Sequence, residues 1–92
     1  MTDSEILAKV KADLRIDFND LDEDISDNIK AAVADLGVAG VPDDLENNML
    51  ILRAVKLFCR WQYGFDGKPE RYEKAYNGLK IALALDLGHG EA

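Results

Sequence analysis

The stretch from about Asp43 or Asp44 to Tyr63 constrains this chain more than any other feature. On a helix, Leu45, Met49, Leu52, Val55 and Cys59 share one face, Leu50, Ala54, Leu57 and Trp61 share another, and Ile51 and Phe58 fill the space between. Only Arg53, Lys56 and Arg60, spaced three and four apart, form a narrow polar stripe. A helix that is apolar nearly all round belongs in the centre of a protein. The chain has 92 residues, which is room for one domain that buries roughly 60–65% of its unfolded surface. That is barely enough polypeptide to wrap such a helix. Part of its surface is therefore expected to meet a neighbouring subunit.

Three further helices are predicted around it. The first runs from Asp3 to Leu14, opened by Thr2 and Glu5 at capping-box spacing, with Ile6, Leu7, Val10 and Leu14 on one face. Asp17, Asn19 and Asp20 then favour a turn. The second begins near Leu21 with Asp20 as its cap. It carries Asp22, Glu23 and Asp24 at the positive end of the helix dipole, and is expected to stop at Gly37. Its apolar stripe is Ile25, Ile29, Ala32, Val33 and Leu36. Gly64 ends the long central helix, and a loop leads to Pro69 at the first position of the fourth. There Tyr72, Ala75, Tyr76, Leu79, Leu83 and Leu87 form one stripe, and Lys74, Gly78, Ile81 and Leu85 a second. Gly88 is expected to end it. No convincing two-residue alternation appears, so the expected fold is all-α. It is a small bundle of about four helices over residues 3–87, without a sheet, followed by a frayed tail at 88–92.

The residues that usually carry chemistry are nearly absent. Cys59, the single cysteine, sits among Leu57, Phe58 and Trp61 and reads as a small core hydrophobe. His89, the single histidine, lies in the tail without positioned partners. One cysteine excludes an internal disulfide and a thiolate metal cluster. The acids from Asp17 to Asp24 invite a calcium loop, but Ile25 and Ala31 stand where that loop needs glycine and a bidentate acid. No phosphate loop, dinucleotide turn or serine elbow is present. Tyr63, Phe65, Tyr72 and Tyr76 fit a core wall around the last loop better than a base-stacking surface. The expectation is a protein with no catalytic residue, no cofactor and no metal. The longest apolar runs, Met49–Leu52 and Ile81–Leu85, are far short of a membrane span of ~20 residues. The acidic start has the wrong sign for a signal peptide, so a reducing compartment is expected.

Charge is unevenly spread. Residues 1–50 hold 13 acids and 4 bases, net −9, and residues 51–92 hold 5 acids and 7 bases, net +2. One reading is ordinary solvated helix surface. The other is complementarity, with one protomer's acidic half facing the next protomer's basic half.

Particular motifs carry a resemblance. Residues 6–29 read ILAKVKADLRIDFNDLDEDISDNI, a short helix, L-R-I-D, an acidic turn and a second helix opening D-E-D-I. Residues 53–64 read RAVKLFCRWQYG, followed by Pro69-Glu70-Arg71-Tyr72 and by Ala75-Tyr76-x-Gly78-Leu79-Lys80-x-Ala82-Leu83. Their order and spacing, over about residues 4–86, resemble the small head–tail connector (adaptor) proteins of tailed bacteriophages, often labelled DNA-packaging proteins. The tail, Gly88-His89-Gly90-Glu91-Ala92, departs from that pattern.

The resemblance implies a non-enzymatic virion protein of the head–tail junction, assembled in the host cytoplasm. It implies a homo-oligomeric ring beneath the portal protein that continues the DNA channel and meets a tail-side completion or stopper protein. DNA passes without specific binding, and no membrane is involved. Asp20, Glu23, Asp24 and Asp27 are candidates for the channel wall, where like charge shortens the residence of phosphate; solvated outer surface is the equal alternative. Arg53, Lys56 and Arg60 are candidates for a subunit interface. Gly78, Ile81 and Leu85 offer it an apolar patch, with packing inside the chain as the competing reading. The rival functions are a small acidic helical regulator and a DNA-mimic inhibitor. A helix-turn-helix regulator would present Asp24 and Asp27 to phosphate, which is repulsive.

Overall fold

In the computed structural model, which describes residues 1–87, four helices form: α1 (Asp3–Leu14), α2 (Asp22–Val38), α3 (Met49–Gln62) and α4 (Pro69–Leu87), with a 3-10 turn at Phe65–Gly67. No strand occurs among the described residues. The expected tail at 88–92, with the end of α4 at Gly88, lies outside them. The fold is the small all-α bundle that the hydrophobic pattern implies.

Side-chain ties fix the helix directions. The Met1 amino group reaches Glu46 at 2.8 Å, and Arg60 reaches Asp13 at 2.8 Å, so α1 runs parallel to α3. Tyr63, just after α3, bonds Asn28 and Asp24 near the start of α2, so α2 is antiparallel to α3. Asp35 in α2 meets Tyr76 and Lys80 in α4, which runs parallel to α2. The connectivity is up-down-up-down. α3 is the hub, packed against α1, α2 and α4, whereas α4 packs chiefly on α3. The result is a slab of 43 × 29 × 17 Å.

Local chemistry sets the helix ends. Thr2 and Glu5 form the capping box, with each backbone N–H donating to the other's side-chain oxygen at 3.2 Å. Two other starts differ from the sequence expectation. α3 begins at Met49 instead of Asp43 or Asp44. The Asp44 carboxylate accepts from the Asn47 backbone N–H and side-chain amide, and Asn48 Oδ1 accepts the Leu50 N–H at 3.0 Å. Short polar side chains compete with the helix for its own donors there, and the helix starts five or six residues later. α2 has Leu21 at its cap without a side-chain bond, so Asp20 does not cap it. α2 also runs through Gly37 to Val38. Its stop is Gly40, at φ 91°, followed by buried Val41, whose N–H returns to the Leu36 carbonyl at 2.9 Å. The left-handed residue and the apolar residue after it make a Schellman close one turn beyond the expected glycine.

The core collects Val10 and Leu14 from α1, Ile25, Ile29, Ala32 and Leu36 from α2, six residues of α3, and Tyr72, Tyr76 and Leu83 from α4. Phe58, Trp61 and Tyr76 pack with ring centroids 5.3–6.1 Å apart, and Phe65 meets Tyr72 edge-on at 5.9 Å. Phe65, Tyr72 and Tyr76 thus pack among aromatic neighbours beside the last loop as expected, joined by Phe58 and Trp61, whereas Tyr63 turns to Asn28 and Asp24 of α2.

Arg60 ties the ends together. Its Nε and Nη2 donate to the two Asp13 oxygens at 2.8 and 2.9 Å. Its guanidinium lies 4.6 Å from the Phe65 ring centre and 5.3 Å from that of Tyr72. One side chain thus joins the end of α1, the end of α3, the turn and the start of α4. Arg60 is therefore not part of a free basic stripe. Removing Asp13 would leave a half-buried cation unpaired, and such bonds contribute about 1.5–3 kcal/mol. In urea denaturation, Asp13→Ala is expected to lower stability by about that amount, and Arg60→Glu to destabilise at least as much. Arg53→Glu, at an exposed site, should stay within about 0.5 kcal/mol of the parent.

Asp35 makes a second tie, from the last turns of α2 to the middle of α4. It accepts from the Tyr76 hydroxyl at 2.6 Å and from Lys80 Nζ at 3.0 Å. These bonds hold its carboxyl below the usual carboxylate range, the tyrosine bond contributing most. A depressed pKa adds stability that is present above the unfolded value, about 4, and is lost as pH falls through the folded value. The stability gap between the parent and Asp35→Asn, followed by chemical denaturation, is expected to be full near pH 6 and to shrink as pH falls below about 4.

Candidate assembly surface

Most large apolar side chains among the described residues are covered, and the exceptions are few. Six remain exposed: Phe18, Val38, Met49, Leu50, Ile81 and Leu85. Val38 ends α2, Met49 and Leu50 open α3, and Ile81 and Leu85 lie in the last turns of α4. Antiparallel packing brings these five to one end of the bundle.

The α4 part is a continuous face. Arg71, Lys74, Gly78, Ile81 and Leu85 follow one another at three- and four-residue steps and are all exposed, with Ala75 and Ala82 beside them. The helix buries Tyr72, Tyr76 and Leu83 on its opposite side. Ile81 and Leu85 are about 60% exposed, so packing inside the chain does not account for them. Gly78 has open space where a Cβ would stand. Nothing inside the protomer requires a glycine at a position where alanine favours a helix by about 1 kcal/mol.

The other sequence-selected residues fall into separate groups. Asp20, Glu23, Asp24 and Asp27 are all exposed at the start of α2. Of the four, Asp24 accepts a hydrogen bond from Tyr63, whose hydroxyl is pushed up to about 12 by burial first and by that carboxylate second. Arg53 is exposed and Lys56 half-buried on α3, while Arg60 is engaged by Asp13. The three basic residues are thus not equivalent, and Asp13 is the partner the sequence reading missed. Its position in the last turn of α1, where an acid opposes the helix dipole, was the available signal.

Chemistry has little foothold. Cys59 is fully buried, and burial pushes its thiol up to about 12, which keeps it protonated and unreactive. His89 lies outside the described residues. Among those described, no cluster of His, Cys, Asp and Glu is arranged to hold a metal, and no helix is long and apolar enough to cross a membrane. Two concavities of similar size were not anticipated; one, of about 510 Å³, runs along α1 past Leu7, Lys11 and Ile16 to Asp22, and the other bears on assembly. It is a groove of about 490 Å³ between α1 and α2, floored by Ile6, Ile29, Val33 and Leu45, with Asp3 and Asp43 among its charged lining.

No curated protein and no solved structure matches the chain. The family model described as phage connector protein matches residues 6–89. That span takes in all of α2, α3 and α4 and most of α1, together with the exposed α4 face. The family is a structural one, which implies a virion component associated with other head and tail proteins. By this match over nearly its whole length, the chain belongs to the phage connector protein family.

Proposed function

We propose that the chain is a structural adaptor of the head–tail junction. Copies join head to tail into a ring beneath the portal protein, continue the channel through which DNA passes, and receive a tail-side completion or stopper protein. Assembly takes place in the host cytoplasm. The observation that carries this reading is the apolar outer face of α4 on a member of the connector family. Fully burying an aliphatic side chain of this size is worth roughly 1.5–3 kcal/mol, so Ile81 and Leu85 together reward a contact. Gly78 lets another backbone come close.

The charge pattern supports the same role. Asp20, Glu23, Asp24 and Asp27 are exposed at the surface, Asp24 with one oxygen engaged by Tyr63, and like charge on a channel wall keeps phosphate from lingering. Arg53 and Lys56 supply basic side chains for an interface with an acidic neighbour. Arg60 contributes by fixing the start of α4, the helix that carries the interface.

Purified portal rings mixed with the chain and weighed by native mass spectrometry test the proposal. Several copies are expected on each portal, with no retention of random duplex DNA at low salt. Gly78→Ala should stabilise the free chain by about 1 kcal/mol. Ile81→Asp should leave its circular dichroism and melting unchanged while reducing the copies retained. Failure to bind portal, together with binding to duplex or to a nuclease, would favour the regulator or DNA-mimic reading and end this one.

A further inference from the structure

The adaptor reading needs two different complementary patches, because a head-to-tail contact joins unlike surfaces of identical molecules. The sequence points to one, the α4 face. The groove between α1 and α2 has the chemistry of the other. We propose that the α4 ridge of one copy seats in the α1–α2 groove of the next.

Three observations lead there. First, the two surfaces match in polarity. The ridge offers Ile81 and Leu85, both about 60% exposed, and the groove floor is apolar, with Ile6 and Val33 half-buried and therefore still open to contact. Its volume of about 490 Å³ takes more than one aliphatic side chain. Second, they match in charge. On the ridge, Arg71 and Lys74 stand one to two turns before Gly78, exposed and outside the ion pairs of the described residues. The groove carries Asp3 and Asp43, likewise exposed and outside those pairs. The groove has two cations of its own: the Met1 amino group, already paired with Glu46, and Lys30, which has a counterpart in Asp86, next to Leu85 in sequence. Such pairs set register and partner choice more than raw affinity. Third, the surfaces belong to different parts of the slab. The groove is built by α1 and α2, and the ridge faces away from α3, against which α4 packs. A protomer using its ridge keeps its groove open, so the contact propagates and closes only as a ring.

The inference rests on the adaptor reading, and thiol cross-linking separates the two. Ala34, exposed on the groove wall, and Ile81 are replaced by cysteine; the native Cys59 is buried and stays unreactive. A short bis-maleimide is added to the concentrated chain and, in parallel, to the chain bound to portal rings. The double variant Ala34→Cys/Ile81→Cys is expected to give a ladder of dimers, trimers and larger species. Each single variant should stay monomeric, and a mixture of the two should stop at dimers. Adding Asp3→Lys and Asp43→Lys to the double variant should cut the yield roughly tenfold, the size of a 1.4 kcal/mol loss. No ladder in either setting overturns the proposal. So does strong dimerisation of Ile81→Cys alone, which would mean ridge on ridge. Portal binding is read in the same samples. Portal binding without a ladder sinks this docking and leaves the adaptor standing, whereas loss of portal binding sinks the adaptor itself.

Discussion

Covering α3 is the constraint on which the rest of this structure depends. Ile51, Leu52, Ala54, Val55, Leu57 and Cys59 are all buried, and they point in too many directions for one neighbouring helix to shield them. Three helices are needed, and the chain has only three others. Each is spent on α3, so none is left to shield the outer side of α4. The exposed ridge is the direct consequence of a small protein built around an apolar rod. Short domains commonly meet this shortage by oligomerising. The opening turn of α3 shows the same shortage, because Met49 and Leu50 reach solvent.

Two polar ties hold the helices together by different means. At one end of the slab, Arg60 gathers Asp13, Phe65 and Tyr72 around a planar cation, a task a lysine would perform poorly because it lacks the paired donors and the flat face. Further along, Asp35 holds Tyr76 and Lys80, which fixes α2 beside the middle of α4. These ties make the α4 ridge a rigid surface, since both its N-terminal turn and its middle are anchored. A contact surface held in place by the fold loses less entropy on docking than one that must first be ordered.

Much of this was legible in the sequence, and the rest was hidden for physical reasons. The capping box at Thr2 and the proline start of α4 depend on residues a few positions apart, so local chemistry decides them. The all-round apolar pattern announced a buried α3, whereas the second stripe of α4 left Ile81 and Leu85 open between an outward patch and packing inside the chain, and only the fold shows them exposed. The start of α3 was misread because Asp44, Asn47 and Asn48 can serve either a helix or a turn, and their mutual bonds select the turn. Arg60 was read with Arg53 and Lys56 because the three share one face of a helix. Its partner Asp13 lies 47 positions away, and only the fold brings it within bonding distance. The α1–α2 groove was invisible for the same reason, being made by the spacing of two helices rather than by any one segment.

The central claim is that the protomer itself shields α3 beyond its opening turn, instead of leaving that helix to a neighbour as its sequence pattern suggests, and leaves the outer side of α4 for another molecule. A cryo-electron microscopy reconstruction of the chain assembled on its portal tests this most directly. The account predicts that Ile81 and Leu85 of every copy are covered by a neighbouring protein while α3 stays wrapped by its own chain. An assembly in which α4 faces solvent in all copies, or in which α3 is uncovered and shared between protomers, would contradict it.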